Sequence, residues 1–267
     1  MKISIIIVNF NSGDYLSRCL NSIVHNVIID YEIIVVDNSS SDDSLQQCES
    51  IFNMPNIKCI KLKENVGFAK ANNIGANVSK GNMLHFLNPD TEVKVDINDD
   101  YNHCILYPHK IYVNRLENPD GSIVKSKHII ITLGNLFKFM YCKKKVSPWF
   151  IGATLMISKE NFYRIGQWNE SFFMYAEDLD LFYKASLFKI EVEYLKSIIF
   201  HVGGGSSSKV WNSLEREIRV QNSFKKFYEI NNIKRQYVLY KIIVFLISLS
   251  QDYNKSKILL EAWKKNK

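Results

Sequence analysis

The chain has little of what builds a disulfide framework or a structural zinc site. Its 267 residues hold five cysteines, Cys19, Cys48, Cys59, Cys104 and Cys142, which are odd in number, widely dispersed and without a Cys-x-x-Cys spacing. Such a set excludes a disulfide scaffold and a cysteine-based zinc knuckle and fits a reducing cytoplasm. There is no P-loop and no Ser/His/Asp arrangement with nucleophile-elbow glycines. Long hydrophobic runs are also missing. The longest, Tyr237 to Ser250, contains Lys241 and falls short of the roughly 20 residues that a spanning helix requires. The opening run ISIIIV is too short for a signal-peptide core and is stopped by Asn9. The expectation is a soluble or peripherally attached protein, cytoplasmic or at the inner face of the cell membrane. No internal repeat or low-complexity tract is visible.

What is present suffices for one large core or two modest ones, with 46% hydrophobic residues. The formal charge is +7. Residues 209–267 carry 13 Lys/Arg against five Asp/Glu, so the excess sits in that tail and the remainder is near neutral. A basic tail suggests a polyanionic partner: nucleotide, nucleic acid or anionic lipid.

Through the first 90 residues, β-branched runs at 3–8, 31–37, 57–62 and 82–87 alternate with segments of helical period at about 14–27, 41–53 and 68–79. Ser40 and Asp43 read as a cap opening the second helix. This βαβαβ order, with nearly continuous apolar strands, predicts an α/β fold with a parallel sheet covered on both faces. Ligands then bind beyond the carboxyl ends of the strands. The residues there are Asn9 to Ser12, Asp37 to Ser41, Lys63 to Gly67 and Asn88 to Glu92, all polar or acidic clusters. After residue 93 the pattern weakens. VDINDDYNHC reads as an irregular loop, CILYPHKIYV as a strand with a proline bend, and NPDGS as a tight turn. WFIGATLMIS (149–158) reads as one buried strand, KENFYRIGQW as a short helix, 177–189 as a helix opened by acids, and 191–201 as a strand ending at His201. From Lys209 onwards the chain looks helical.

Three sets of residues fall where a scaffold can present them: Asp90, the cluster Glu177, Asp178 and Asp180, and His201 with GGGSSS behind it. A carboxylate and an imidazole can hold a divalent cation whose other positions go to substrate phosphate and water. Carboxylates at a helix N-terminus are favoured as anions and can serve as a general base. Helical geometry leaves open which of the three acids faces the crevice. Each feature also has an ordinary structural explanation: a polar turn, charge compensation at a helix start, a strand-end histidine. Pro89 fixes its own φ and biases Asn88 towards extended geometry, which carries the strand to its end and delivers Asp90 at the crevice floor.

In order, SIIIVNFNS (4–12), EIIVVDNSSSD (32–42), NVGFAKANNIG (65–75), FLNPD (86–90), FIGATLMI (150–157), FFMYAEDLDL (172–181) and HVGGGSS (201–207) resemble the family 2 glycosyltransferases of the GT-A fold. The likeness is strongest to their rhamnosyltransferase-like branch. It implies a GT-A catalytic domain over 1–208, with a Rossmann-like nucleotide-sugar-binding half at 1–92 and a mixed acceptor-side and catalytic half at 93–208. Residues 209–267 follow as a basic helical extension. By the same resemblance, Asp37 lies near the base, with the backbone at Val8 and Asn9 lining the pocket. Asn65, Gly67, Asn72 and Asn73 close over the nucleotide. Asp90 and His201 hold Mn²⁺ or Mg²⁺, Asn88 stands where other members carry the first acid of Asp-x-Asp, and Asp178 is similar to the catalytic base. The implied activity is inverting, metal-dependent transfer of rhamnose or another hexose from a dTDP- or UDP-linked donor to a saccharide hydroxyl. The setting would be cell-surface polysaccharide assembly such as O-antigen or capsule, with no nucleic-acid partner. Between Asp90 and Pro108 the chain leaves little room for the usual helix. Two rivals stand beside this reading. A nucleotidyltransferase would want a Gly-rich, Arg-containing loop where NFNSGDY stands. A non-catalytic nucleotide-sugar or membrane-surface binding protein would use the basic tail to dock. If residues 237–250 lie on a membrane, with Lys225, Lys226, Lys234, Arg235 and Lys241 towards acidic headgroups, a polyprenyl-diphosphate-linked saccharide is the acceptor to expect.

Overall fold

The computed structural model describes residues 2–137, 148–203, 212–251 and 253–265. The four β-branched runs form β1 (Ile3–Asn9), β2 (Tyr31–Asp37), β3 (Ile57–Lys61) and β4 (Met83–Leu87), parallel throughout in the order β3-β2-β1-β4. Parallel neighbours need crossovers. These are α1 (Asp14–Asn26), a 3₁₀ turn leading into α2 (Glu49–Phe52), and α3 (Phe68–Val78). β1 is buried along its whole length, and its alternation serves two cores. Ile3, Ile5 and Ile7 pack with Leu16, Leu20 and Ile23 of α1, while Ile6 packs with Ala69 and Ala76 of α3.

Six further strands follow: β5 (Thr91–Glu92), β6 (Ile111–Glu117), β7 (Lys127–Ile129), β8 (Pro148–Phe150), β9 (Thr154–Ser158) and β10 (Val192–His201). β9 runs antiparallel between β4 and β6, β10 is parallel to β6, and β5 closes the edge, giving a mostly parallel eight-stranded sheet; β7 and β8 make a separate ribbon. The remaining helices are α4 (Ile97–Leu106), α5 (Leu133–Phe137), α6 (Lys159–Arg164), α7 (Glu177–Leu187), α8 (Ser213–Ile230), α9 (Gln236–Gln251) and α10 (Tyr253–Lys265). The described cysteines, Cys19, Cys48, Cys59 and Cys104, are free thiols; Cys142 and the residues from Lys209 to Trp211 lie outside the described set.

Three expectations are corrected. The polar segment read as a loop with no room for a helix is α4, because Ile97, Tyr101 and Cys104 recur at helical spacing and all three are buried. The second crossover is a 3₁₀ turn plus one helical turn, without a side-chain cap. Ser40 and Asp42 instead tie the loop after β2 to the loop after β1: the Ser40 hydroxyl accepts the Asn11 N–H at 3.0 Å and Asp42 accepts that of Gly13 at 2.8 Å. Finally, the stretch 149–158 breaks at Gly152 into β8 and β9, which belong to different sheets.

A buried polar chain links α4 to the sheet. Thr154 donates to Asn114 (3.1 Å), so His85 Nε2 donates to Thr154 (3.0 Å) and Nδ1 accepts from the Tyr101 hydroxyl (2.9 Å). His85 is neutral, since burial pushes its pKa down to about 3. Asn114 in turn donates to Asp100 of α4, which also accepts the backbone N–H groups of Lys196 and Ser197, where β10 bulges. α8 opens with a capping box, the Asn212 side chain on the Glu215 N–H and Glu215 back on Asn212. Its Phe227 and Tyr228, with Tyr240 of α9, complete a third core with Ile130, Phe172, Ala176 and Leu179. Among the described residues no helix is long and apolar enough to cross a membrane.

Candidate active site

The carboxyl ends of β1 and β2 are stitched side by side. Asn9 Nδ2 donates to Asp37 Oδ1 (2.8 Å) and to the Ser44 hydroxyl (2.9 Å), while its carbonyl accepts the Asn38 N–H at 2.7 Å. Asp37 also accepts the Ser40 N–H at 3.2 Å. Asn38 reaches across to the next loop: its Nδ2 donates to Asn65 Oδ1 (2.8 Å) and its Oδ1 accepts the Val66 N–H (2.9 Å). The structure therefore assembles Asn9, Asp37 and Asn65 into one rim, with Val8 below them packed against Ile34, Val36 and Ala71. Asn72 and Asn73 point elsewhere. Asn72 Nδ2 caps the Phe68 carbonyl (3.0 Å), and Asn73 holds the Trp168–Glu170 turn through Nδ2 to the Trp168 carbonyl and Glu170 (both 2.9 Å) and Oδ1 from the Trp168 N–H (3.2 Å).

At the end of β4, the Asn88 N–H donates to the Ala153 carbonyl (2.9 Å), which anchors the Asn-Pro-Asp turn to the strand break at Gly152. Asp90 lies beside the end of β10, with its carbonyl accepting the Val202 N–H (3.0 Å) and Oδ1 3.5 Å from His201 Nε2. Both side chains are nine-tenths buried. His201 Nδ1 and Asn88 Oδ1 are buried without a hydrogen-bond partner, an expensive state unless something else binds there. A carboxylate, an imidazole and an orphaned carbonyl oxygen suit an oxygen-loving divalent cation that draws its remaining ligands from substrate. Among the described residues no group of three or more His, Cys, Asp or Glu forms a self-sufficient metal cage. Gly203 follows with φ +72° and lies against the His201 ring; the rest of the glycine-serine run, Gly204 to Ser208, is outside the described residues.

The acidic cluster is carried by the start of α7. Tyr175 and Ala176 both hold left-handed backbone, φ 69° and 64°, immediately before α7. Consecutive non-glycine residues there are strained and persist only when their surroundings over-determine them. Here the surroundings are α8: the Ser223 hydroxyl donates to the Met174 carbonyl (2.8 Å), Lys226 donates to the Ser171 carbonyl, and Asn231 donates to Asp180 (2.9 Å). The three acids separate in role. Asp180 is fully buried and paired with Lys184 at 2.8 Å. Glu177 is buried with one oxygen unpartnered, and burial together with the neighbouring Asp178 charge raises its pKa well above its ordinary value. Asp178 keeps part of its surface open, accepts the Gly152 N–H (3.2 Å) and the Leu179 N–H (2.7 Å), and is pushed up to about 6 by lost hydration, against the lowering effect of those two bonds. Helix-start stabilisation of the anion, expected from the sequence, is real here but outweighed by desolvation.

Asp178, Asn88 and Asp90 are thus tied through neighbouring backbone, Gly152 holding the first and Ala153 the second. The nucleotide side joins them at Gly67. Its φ of +86° and its approach to Phe173, whose carbonyl oxygen a Cβ there would meet at 2.5 Å, leave no room for a side chain. The next N–H, of Phe68, donates to that same carbonyl at 2.9 Å. Asn38 and Ser44 were not singled out by sequence reasoning; only their place just after β2, beside Asp37, pointed to them.

Residues 4–165 match the model of glycosyl transferase family 2. Over 278 aligned positions the chain is 28% identical to the low-salt glycan biosynthesis hexosyltransferase Agl10 of Haloferax volcanii, covering 98% of this chain and 82% of that protein. Its fold superposes on Staphylococcus aureus TarS residues 1–349 in complex with UDP-GlcNAc with a TM-score of 0.61 at 17% identity, covering 98% of this chain and 79% of the other. GalNAc-T7 with UDP, GalNAc and Mn²⁺ gives a TM-score of 0.61 at 18% identity, covering 85% of this chain and 50% of the other. A matched model spanning more than half the chain, on a GT-A type fold, settles the matter of kinship: the chain belongs to glycosyl transferase family 2 and is a glycosyltransferase.

Proposed function

We propose that this enzyme transfers a hexose, with inversion, from a nucleoside-diphosphate sugar to a hydroxyl of a saccharide acceptor during glycan or surface-polysaccharide assembly. The observation that carries the reading is the convergence of Asp178 on Gly152 and of Asn88 on Ala153, with the Asp90–His201 pair completing the crevice floor. The UDP and UDP-GlcNAc complexes of TarS and the Mn²⁺ complex of GalNAc-T7, both GT-A neighbours, support a nucleotide-sugar donor and a divalent cation. Asn88 in place of a first acid favours the rhamnosyltransferase-like branch, and with it rhamnose or a related hexose from a dTDP- or UDP-linked donor.

In this reading the rim of Asn9, Asp37, Asn38 and Asn65 receives the nucleoside, and Asp90 with His201 lies under the diphosphate. These two residues would hold Mn²⁺ or Mg²⁺, which would supply positive charge to the leaving diphosphate. Asp178 accepts the proton of the acceptor hydroxyl. As it does so, the oxygen forms a bond to the anomeric carbon on the face opposite the bond to the diphosphate oxygen, which breaks with its electron pair.

The experiment is a thermal-shift and transfer screen against UDP- and dTDP-sugars, with Mn²⁺, Mg²⁺ or EDTA. Asp178→Asn is expected to keep the donor-induced shift while transfer falls about 10²–10⁴-fold. Asp90→Ala is expected to lose most of the cation-dependent part of the shift. Full transfer by Asp178→Asn, or donor binding indifferent to EDTA and to Asp90→Ala, overturns the assignment.

A further inference from the structure

The helix α9 is covered by the protein on the side towards α8 and on the side where Phe245 meets Trp263 of α10, and it carries a further apolar strip that is exposed. Tyr237, Tyr240 and Val244 pack on the core formed with α8. Along the exposed strip, at spacings of four, four and three, stand Val238, Ile242, Leu246 and Leu249, which are 61%, 53%, 60% and 46% exposed. A contiguous apolar strip of this kind, a few hundred Å² on a helix about 24 Å long, is larger than scattered surface hydrophobics explain. The surrounding charge is of one sign. Between Glu229 and Asp252 the chain has Lys234, Arg235 and Lys241 and no acid. Arg235 is exposed and lies three residues before Val238, at the head of the strip. Lys234 is 76% exposed, with only a loose 3.7 Å pairing to Glu229. Lys241 sits inward, 4.7 Å over the Trp263 ring.

We infer that α9 is a membrane-surface helix: it lies in the plane of an anionic lipid bilayer, its outer strip among the upper acyl chains and Lys234 and Arg235 against acidic headgroups. Charge and area choose this occupant over a second copy of the chain. Headgroup anions complement a basic, acid-free segment, whereas the strip is small against the roughly 800 Å² per partner of a stable protein interface. The helix is too short to span, and in-plane binding needs only one apolar face.

The test is flotation of the full-length protein with vesicles of phosphatidylcholine alone or mixed with phosphatidylglycerol, at low and high salt. It uses no sugar donor, so its outcome is independent of the transfer chemistry. Expected is co-flotation with phosphatidylglycerol vesicles that weakens at high salt and falls at least tenfold in the exposed-site variant Ile242→Glu/Leu246→Glu, whose melting temperature stays that of the wild type. Lys234→Glu/Arg235→Glu, with the strip intact, is expected to lose the preference for phosphatidylglycerol. Equal binding to both vesicle types, no binding to either, or a dimer by light scattering that Ile242→Glu/Leu246→Glu dissolves while wild type fails to float, overturns the inference.

Discussion

Asp178 carries two opposite consequences of one environment. Its carboxyl must be ionised to take a proton, and burial holds its pKa at about 6 against an ordinary 3.8. Transfer is therefore expected to rise with pH through about 6 and to level off above it. A pH–rate profile flat down to pH 5 at saturating donor contradicts this. Stability runs the other way. Below about pH 4 the group is protonated in both folded and unfolded chains and costs nothing; above about 6 it is ionised in both, and the folded state bears the full desolvation penalty. Asp178→Asn should thus melt higher than wild type at pH 8, on the order of 2 kcal/mol or several degrees, with the gain shrinking towards pH 4. Gly67 offers a second residue-scale test. Gly67→Ala combines strained φ with a contact to the Phe173 carbonyl that real Cβ atoms do not make. It should cost about 1–3 kcal/mol of stability by thermal melt, and weaken donor binding because it wedges the nucleotide loop away from the acid-bearing loop. The position of Asp90 just past β4 and of His201 at the end of β10 was legible in the sequence because strand ends are fixed by apolar runs. Asn72 and Asn73 were not, since nothing in a one-dimensional pattern tells whether a helical asparagine faces a ligand or caps its own neighbours, as both do here.

Between elements, the telling contact is α8 against the segment before α7. Ser223 and Lys226 lie on α8 and Asn231 is its C-terminal cap, and all three bond into Ser171–Asp180, the stretch that contains the two left-handed residues and the acid. Ser223→Ala and Asn231→Ala should each release part of that constraint while removing no group that meets substrate. The expected signature is a lower turnover, about 3–30-fold, with unchanged affinity for donor, because the rim proposed to receive the nucleoside is built from the loops after β1, β2 and β3 and none of its side chains bonds to these two residues. An equal loss in donor binding would place the defect in general folding. This clamp was invisible beforehand, as the sequence identified a basic helical tail without saying which side chains faced inward. The α4 helix was missed for a different reason: INDD supplies polar residues usually found in loops, yet Asn98 and Asp100 are buried because they bond the chain around them, Asn98 to Ile28 and Asn26, Asp100 to the β10 bulge. The run 149–158 misled in turn, because its continuous apolar character reads as one strand, whereas it breaks at Gly152, which presents a backbone N–H to Asp178.

At the scale of the molecule, the parallel half was readable almost residue by residue, since β-branched runs with crossovers admit few topologies. The antiparallel insertion of β9 between β4 and β6 was not, as it depends on long-range pairing with no local signal. The same difference in reach decides what the tail does. The core beneath the nucleotide rim is closed by α1, α3 and the sheet, without the tail. The core behind the acid is not: Phe172, Ala176 and Leu179 are covered by Phe227, Tyr228 and Tyr240, and α10 adds Trp263, whose indole N–H donates to Gln221 of α8 at 2.8 Å. Truncation after residue 236 removes Tyr240 and Trp263 together and uncovers Phe227 and Tyr228, a loss of burial on the order of several kcal/mol at 25 cal/mol per Å². The truncated chain is therefore expected to retain donor-dependent thermal stabilisation from its N-terminal half and to lose transfer, because the start of α7, which carries Asp178, loses part of the wall behind it. Full transfer by the truncated chain would show that the tail is a separable appendage; loss of donor stabilisation as well would show that the two halves share more of their stability than their packing implies.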